Sequence, residues 1–121
     1  MEKKKTLVLG ASANLARYSN LVVNRLVNKQ HPVVAFGKRK GIVAGITIET
    51  KKKAFKDIDT ITLYLSAAHQ KDFYDYIISL HPNRIIFNPG AENDELAELA
   101  IQHGIEAQEA CTLVLLSTGQ Y

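Results

Sequence analysis

The feature that most restricts this chain is a short apolar run, Thr6-Leu7-Val8-Leu9, closed at once by Gly10. Such a run has no polar alternation, which marks a strand covered on both faces. The pattern recurs at Val33-Val34-Ala35-Phe36, closed by Gly37, and at Arg84–Phe87, closed by the turn residues Asn88-Pro89-Gly90. Ile58–Leu65 reads as another strand, with Ile61, Leu63 and Leu65 alternating with Thr60, Thr62 and Tyr64. Ile105–Glu109 reads as a last short one.

Helical spacing fills the intervals. Residues 10–18 form a loop, after which Ser19 or Asn20 caps a helix carrying Val22, Val23, Leu26 and Val27. Phe73, Tyr76, Ile77 and Leu80 stand at i, i+3, i+4 and i+7 and predict an amphipathic helix ended by His81-Pro82. Asn93 caps a third helix with Asp94 and Glu95 in its first turn, as the helix dipole prefers, and Gly104 ends it. Two stretches read less clearly. Between residues 38 and 57, Gly41 and Gly45 mark turns, Ile46-Thr47-Ile48 fits a short edge strand, and Lys51, Lys52, Lys53 and Lys56 make a solvated face. Leu113–Leu116 fits either a helix or an edge strand, and either a dimer contact or a closure of the core.

Strands alternating with helices mean β-α-β units. The expected fold class is α/β: a Rossmann-like, doubly wound, mostly parallel sheet of five or six strands with helices on both faces. At 121 residues the whole chain, 1–121, fits one domain. One cysteine, Cys111, excludes an intramolecular disulfide framework and suits a reducing compartment. The charged start, Met1-Glu2-Lys3-Lys4-Lys5, leads into an apolar run too short for a secretory signal, and no stretch approaches a membrane span. A cytoplasmic protein is expected. The net charge of +3, with no aromatic-studded basic stripe, argues against nucleic acid and agrees with an anionic small ligand.

In sheets of this kind the ligand sits beyond the carboxyl ends of the strands. The loop after the first strand, residues 10–20, is the informative one. Gly10 permits a tight turn, and the small Ala11, Ser12 and Ala13 let backbone approach a ligand. Backbone amides and a helix N-terminus favour an anion there. Asn14, Tyr18, Ser19 and Asn20 bring further polar groups, and Arg17 brings a charge suited to phosphate. The loop is not the G-x-G-x-x-G dinucleotide fingerprint, since Ser12 and Leu15 stand where glycines belong. The acidic residue that would hold a ribose 2′-hydroxyl after the second strand is replaced by Gly37-Lys38-Arg39-Lys40. Three cations there suit a phosphorylated ribose: the 2′-phosphate of NADP or the 3′-phosphate of coenzyme A.

Gly10-Ala11-Ser12, Arg17-Tyr18-Ser19, the Asn88-Pro89-Gly90 turn and Cys111 together resemble the small stand-alone coenzyme A-binding domain proteins of bacteria. These are similar to the coenzyme A-binding domain of the succinyl-CoA synthetase α subunit. The resemblance implies a Rossmann-type domain that binds coenzyme A. It implies the Gly10 loop at the pyrophosphate and the cations after the second strand near the adenosine phosphates. Where members often carry an Asn-Pro pair after that strand, this chain has Phe36-Gly37-Lys38. The family supplies a ligand and no reaction, leaving sensor, carrier and regulatory roles open. An NADP-dependent oxidoreductase-like domain and a protein-interaction module with an unused crevice are the alternatives, and a homodimer or another protein partner is open.

No catalytic centre is legible. Cys111 lies past a strand end on the expected ligand side, where its thiol would meet that of coenzyme A, but a buried small hydrophobe is the plainer reading. His31, His81 and His103 stand near helix ends, and His69, the one histidine on the expected ligand side, reads there as opening a helix. No His or Cys pair has metal-ligand spacing, and Ser12 lacks a nucleophile frame.

Overall fold

The computed structural model describes residues 2–121. Seven strands form one sheet: β1 (Thr6–Leu9), β2 (Val33–Phe36), β3 (Gly41–Val43), β4 (Ile46–Glu49), β5 (Thr60–Leu63), β6 (Arg84–Phe87) and β7 (Glu106–Glu109). Their order across the sheet is β3-β4-β2-β1-β5-β6-β7. All neighbours pair in parallel except β3, which runs antiparallel to β4. The fold class is the expected α/β Rossmann-like one, with β3 as an unforeseen strand. Gly41-Ile42-Val43 is too short to announce itself, and it forms because Ala44 (φ 49°) and Gly45 (φ 79°) make a tight left-handed turn back onto β4. This hairpin also corrects the placing of Ile46-Thr47-Ile48. It lies in β4, inside β3, and pairs with β2 through Ala35↔Ile48 and Phe36↔Glu49.

The helices are α1 (Tyr18–Asn28), α2 (Ala67–Gln70), α3 (Tyr74–Ser79), α4 (Asp94–Gln102) and α5 (Thr112–Ser117). Strand alternation distributes the core between two faces. Leu7, Leu9, Ile61, Leu63, Ile85 and Phe87 face α3 and α4, meeting Tyr76, Ile77, Leu96 and Ala100. Val8, Ala35 and Ile48 face the other way, onto Val22, Val23 and Leu26 of α1 and Leu116 of α5. Leu113–Leu116 is therefore helical, and Leu115 and Leu116 close the core, while Val114 stays exposed.

Two helix boundaries differ from expectation. Helix α1 begins at Tyr18, with Arg17 in extended conformation at the N-cap and no side chain capping it. Ser19 and Asn20 thus lie inside the first turn, both buried, and do not cap. The segment around Phe73 is α2, a 3₁₀ turn at Lys71–Phe73, and α3, in place of one continuous helix. Gln70 explains the break: fully buried, its Nε2 donates to the carbonyls of Leu65 and Ala91, tying this turn to two strand ends. Asn93 does cap α4, its Oδ1 accepting from the Leu96 amide at 3.3 Å.

The chain leaves β1 outward to β2 and the β3–β4 hairpin, then returns to β5 on the other side of β1. That reversal opens a crevice at the carboxyl ends of β1 and β5.

Candidate functional site

The crevice is a cleft of about 830 Å³. Its floor is the loop after β1. Gly10 adopts φ +100°, and a Cβ there would meet the Tyr64 carbonyl oxygen at 2.6 Å. The amides of Gly10 and Ala11 both donate to the Phe36 carbonyl, at 2.9 and 2.8 Å. From the β2 side, Gly37 lets the loop in: a Cβ there would stand 2.2 Å from the Ala11 carbonyl oxygen. The loop is thus held between the ends of β5 and β2 by backbone contacts.

These contacts change which groups face a ligand. The Gly10 and Ala11 amides belong to the fold, and the Asn14 and Ala16 amides are turned to Ser12 Oγ and Asn14 Oδ1. Among the described residues, the amides of Ser12 and Ala13 and of Tyr18 and Ser19 in the first turn of α1 have no acceptor. Uncapped first-turn amides carry the positive end of the helix dipole. Asn20 serves the loop from behind. Its Nδ2 donates to the Ser12 carbonyl at 3.1 Å, and its Oδ1 accepts from Asn24.

The walls add charge. Arg17, Lys38, Arg39 and Lys40 all line the cleft, with Tyr18, Ser19, Tyr64, Leu65 and His69, and no carboxylate does. Among the described residues the one ion pair is Lys53 with Glu49, so these four cations have no acidic partner. Burial, and then the neighbouring Cys111, push the Tyr64 phenol well above its ordinary range, so it stays neutral and polar.

The structure gathers Gly10, Ala11, Ser12, Asn14, Arg17, Tyr18, Ser19, Lys38 and Arg39 around one cleft. It adds Tyr64 and Leu65, which the strand pattern had absorbed as sheet residues, and His69, which its place at the opening of a helix had absorbed. The other expected site residues lie further along the same edge. Asn88 is a brace: its Nδ2 donates to Thr62 Oγ1 at 2.7 Å and the Leu63 carbonyl at 2.9 Å, and its Oδ1 accepts the Thr112 amide at 2.9 Å. Pro89 and Gly90 are exposed in the turn after β6. Cys111 is half-buried at the N-cap of α5. No group of three metal-ligating side chains occurs among the described residues, and no helix there is long and apolar enough to cross a membrane.

A mostly parallel sheet with helices on both faces and a cationic cleft at its carboxyl edge defines a Rossmann-type α/β domain. The chain belongs to the CoA binding domain family, whose model matches residues 4–117. The crystal structure of an uncharacterized protein has a TM-score of 0.98 to it at 44% identity, with 100% of both chains covered. A hypothetical protein from Pyrococcus horikoshii OT3 is similar in fold, with a TM-score of 0.84 at 19% identity over 96% of this chain and 83% of that one. So is a cell-free-produced protein from Thermus thermophilus, at 0.86 and 16% over 98% and 91%. No curated protein matches the chain.

Proposed function

We propose that this chain binds coenzyme A, free or acylated, in the cleft between the β1 and β5 ends, as a binding module of the cytoplasm. The observation that carries this reading is the charge of the cleft: four unpaired cations, no carboxylate, and an uncapped helix start. Family membership supports coenzyme A as the nucleotide. In this reading the diphosphate lies on the Ser12–Ala13 amides and the start of α1, with Arg17 beside it. Gly10 and Ala11 shape the seat, Asn14, Tyr18 and Ser19 flank it, and Asn20 holds it from behind. Lys38 and Arg39 take the 3′-phosphate of the ribose, since they follow β2, the neighbour of β1. The pantetheine arm then runs the other way along the edge, over β5 and past Pro89 and Gly90 toward Cys111, with Asn88 fixing that turn.

Thermal unfolding with coenzyme A, acetyl-CoA, NADP and ATP in parallel tests the reading. A ligand at 100 times its Kd adds about 2.7 kcal/mol to stability. Coenzyme A is expected to raise the Tm and NADP to raise it less; stabilisation by NADP alone reverses the assignment. Replacing both cations, Lys38→Ala with Arg39→Ala, is expected to weaken coenzyme A about tenfold more than dephospho-coenzyme A, because only the former has the 3′-phosphate for a charge-assisted contact. Equal losses would detach these side chains from that phosphate.

A further inference from the structure

His69 is the one imidazole among the side chains that line the cleft. It stands in α2, the short helix after β5, on the opposite side of β1 from Lys38, Arg39 and Lys40. Its Nδ1 lies 3.0 Å from Ser66 Oγ, which fixes the ring. Among the described residues its Nε2 has no hydrogen-bond partner, and the side chain is exposed to the cleft. A ring held at Nδ1 leaves Nε2 as the nitrogen that faces the cleft.

We propose that His69 contacts the diphosphate of the ligand through Nε2, completing from the β5 side a grip that Arg17 and the α1 start form from the β1 side. This rests on the coenzyme A reading above. Binding then takes up a proton at His69, so affinity for the diphosphate rises as pH falls through the imidazole range. The groups facing His69 leave it alone in that role. Across the cleft stand Arg17 and Tyr18, with Lys38–Lys40 beyond; Tyr64 lies on its own side, just after β5, and Lys71 and Asp72 follow on its own segment. On the adjacent turn Glu92 is engaged at 2.8 Å with the Gly90 amide. None of these side chain types ordinarily changes charge between pH 6 and 8.

The probe is dephospho-coenzyme A, whose diphosphate diester keeps its charge across this range, unlike the 3′-phosphate of coenzyme A. Calorimetric titration at about pH 6 and 8 is expected to give a Kd about tenfold lower at the acid end, the size of one charge-assisted hydrogen bond. In His69→Gln that difference is expected to vanish, with affinity at both pH values near the wild type at pH 8. His69→Lys is expected to bind at pH 8 as the wild type does at pH 6. In the histidine NMR spectrum, the His69 resonance is expected to titrate at higher pH with the probe bound than without it. A Kd that does not change with pH, or a slope that survives in His69→Gln, overturns the role of His69 and leaves coenzyme A binding standing. Absence of binding by coenzyme A and its dephospho form at any pH overturns both.

Discussion

Gly10 and Gly37 do different things with the same missing side chain. Gly10 supplies a left-handed backbone angle beside the Tyr64 carbonyl, whereas Gly37 supplies space for the Ala11 carbonyl. Gly10→Ala is expected to cost about 2–4 kcal/mol, combining left-handed strain with a backbone clash. Gly37→Ala, with no such angle to strain, is expected to cost about 3 kcal/mol by displacing the loop. Urea unfolding measures both, and near-neutral values at Gly37 would mean the loop shifts freely. As punctuation both glycines were legible, because each closes an apolar run. The reason for Gly37 was not, since the atom it accommodates belongs to a loop much earlier in the chain. Likewise the small residues at 11–13 signalled a close approach of backbone, but part of that approach is to the protein's own β2 end. This is why the Gly10 and Ala11 amides are spent on Phe36 and the amides left without an acceptor are those of Ser12 and Ala13.

At the level of elements, Asn88 joins three that the chain separates widely. It bonds β5 through Thr62 and Leu63, ends β6, and holds the first amide of α5. Thr62 Oγ1 also lies 2.8 Å from Thr112 Oγ1, so the buried polar atoms here satisfy one another. Asn88→Ala removes three buried hydrogen bonds and strands their partners, and is expected to cost about 2–4 kcal/mol. The checks are a chemical-denaturation midpoint and amide exchange at Thr112, which should quicken. The turn at Asn88-Pro89-Gly90 was evident in the residue types, but its inward-facing amide was not, because a turn signal says nothing about side-chain direction. The β1, β2 and β6 runs were legible as short apolar stretches closed by turn residues, and β5 by Ile61 and Leu63 alternating with Thr60 and Thr62. Strand β3 was not, since a three-residue edge strand with Ile42 71% exposed sends only Val43 into the core. The α2–α3 region misled because Phe73, Tyr76, Ile77 and Leu80 keep helical spacing while Gln70 bends the backbone to reach Leu65 and Ala91.

Across the whole molecule the sheet has two unlike ends. Its carboxyl edge carries the cleft; its amino edge carries His31, buried against the Tyr121 ring at 5.0 Å between centroids, its Nδ1 accepting from the Lys4 amide. Burial first, then the charges of Lys3, Lys4 and Arg84, hold the His31 imidazolium below its ordinary range. A histidine with a folded-state pKa below its unfolded value makes no difference at pH above both, where each state is neutral. As pH falls through the ordinary imidazole range the unfolded chain takes up a proton that the folded chain resists, so stability is lost. Wild type is therefore expected to lose more stability between about pH 7.5 and 5.5 than His31→Gln, as compared by urea midpoints. Equal losses would place the pH sensitivity elsewhere. The floor of the cleft, by contrast, is anchored to β2 and β5 before any ligand arrives. A floor fixed in advance by β2 and β5 does not have to be built when a ligand binds. Ligand capture should proceed in one step, with an observed rate that climbs linearly with ligand concentration, and with traffic in and out governed by encounter and escape alone.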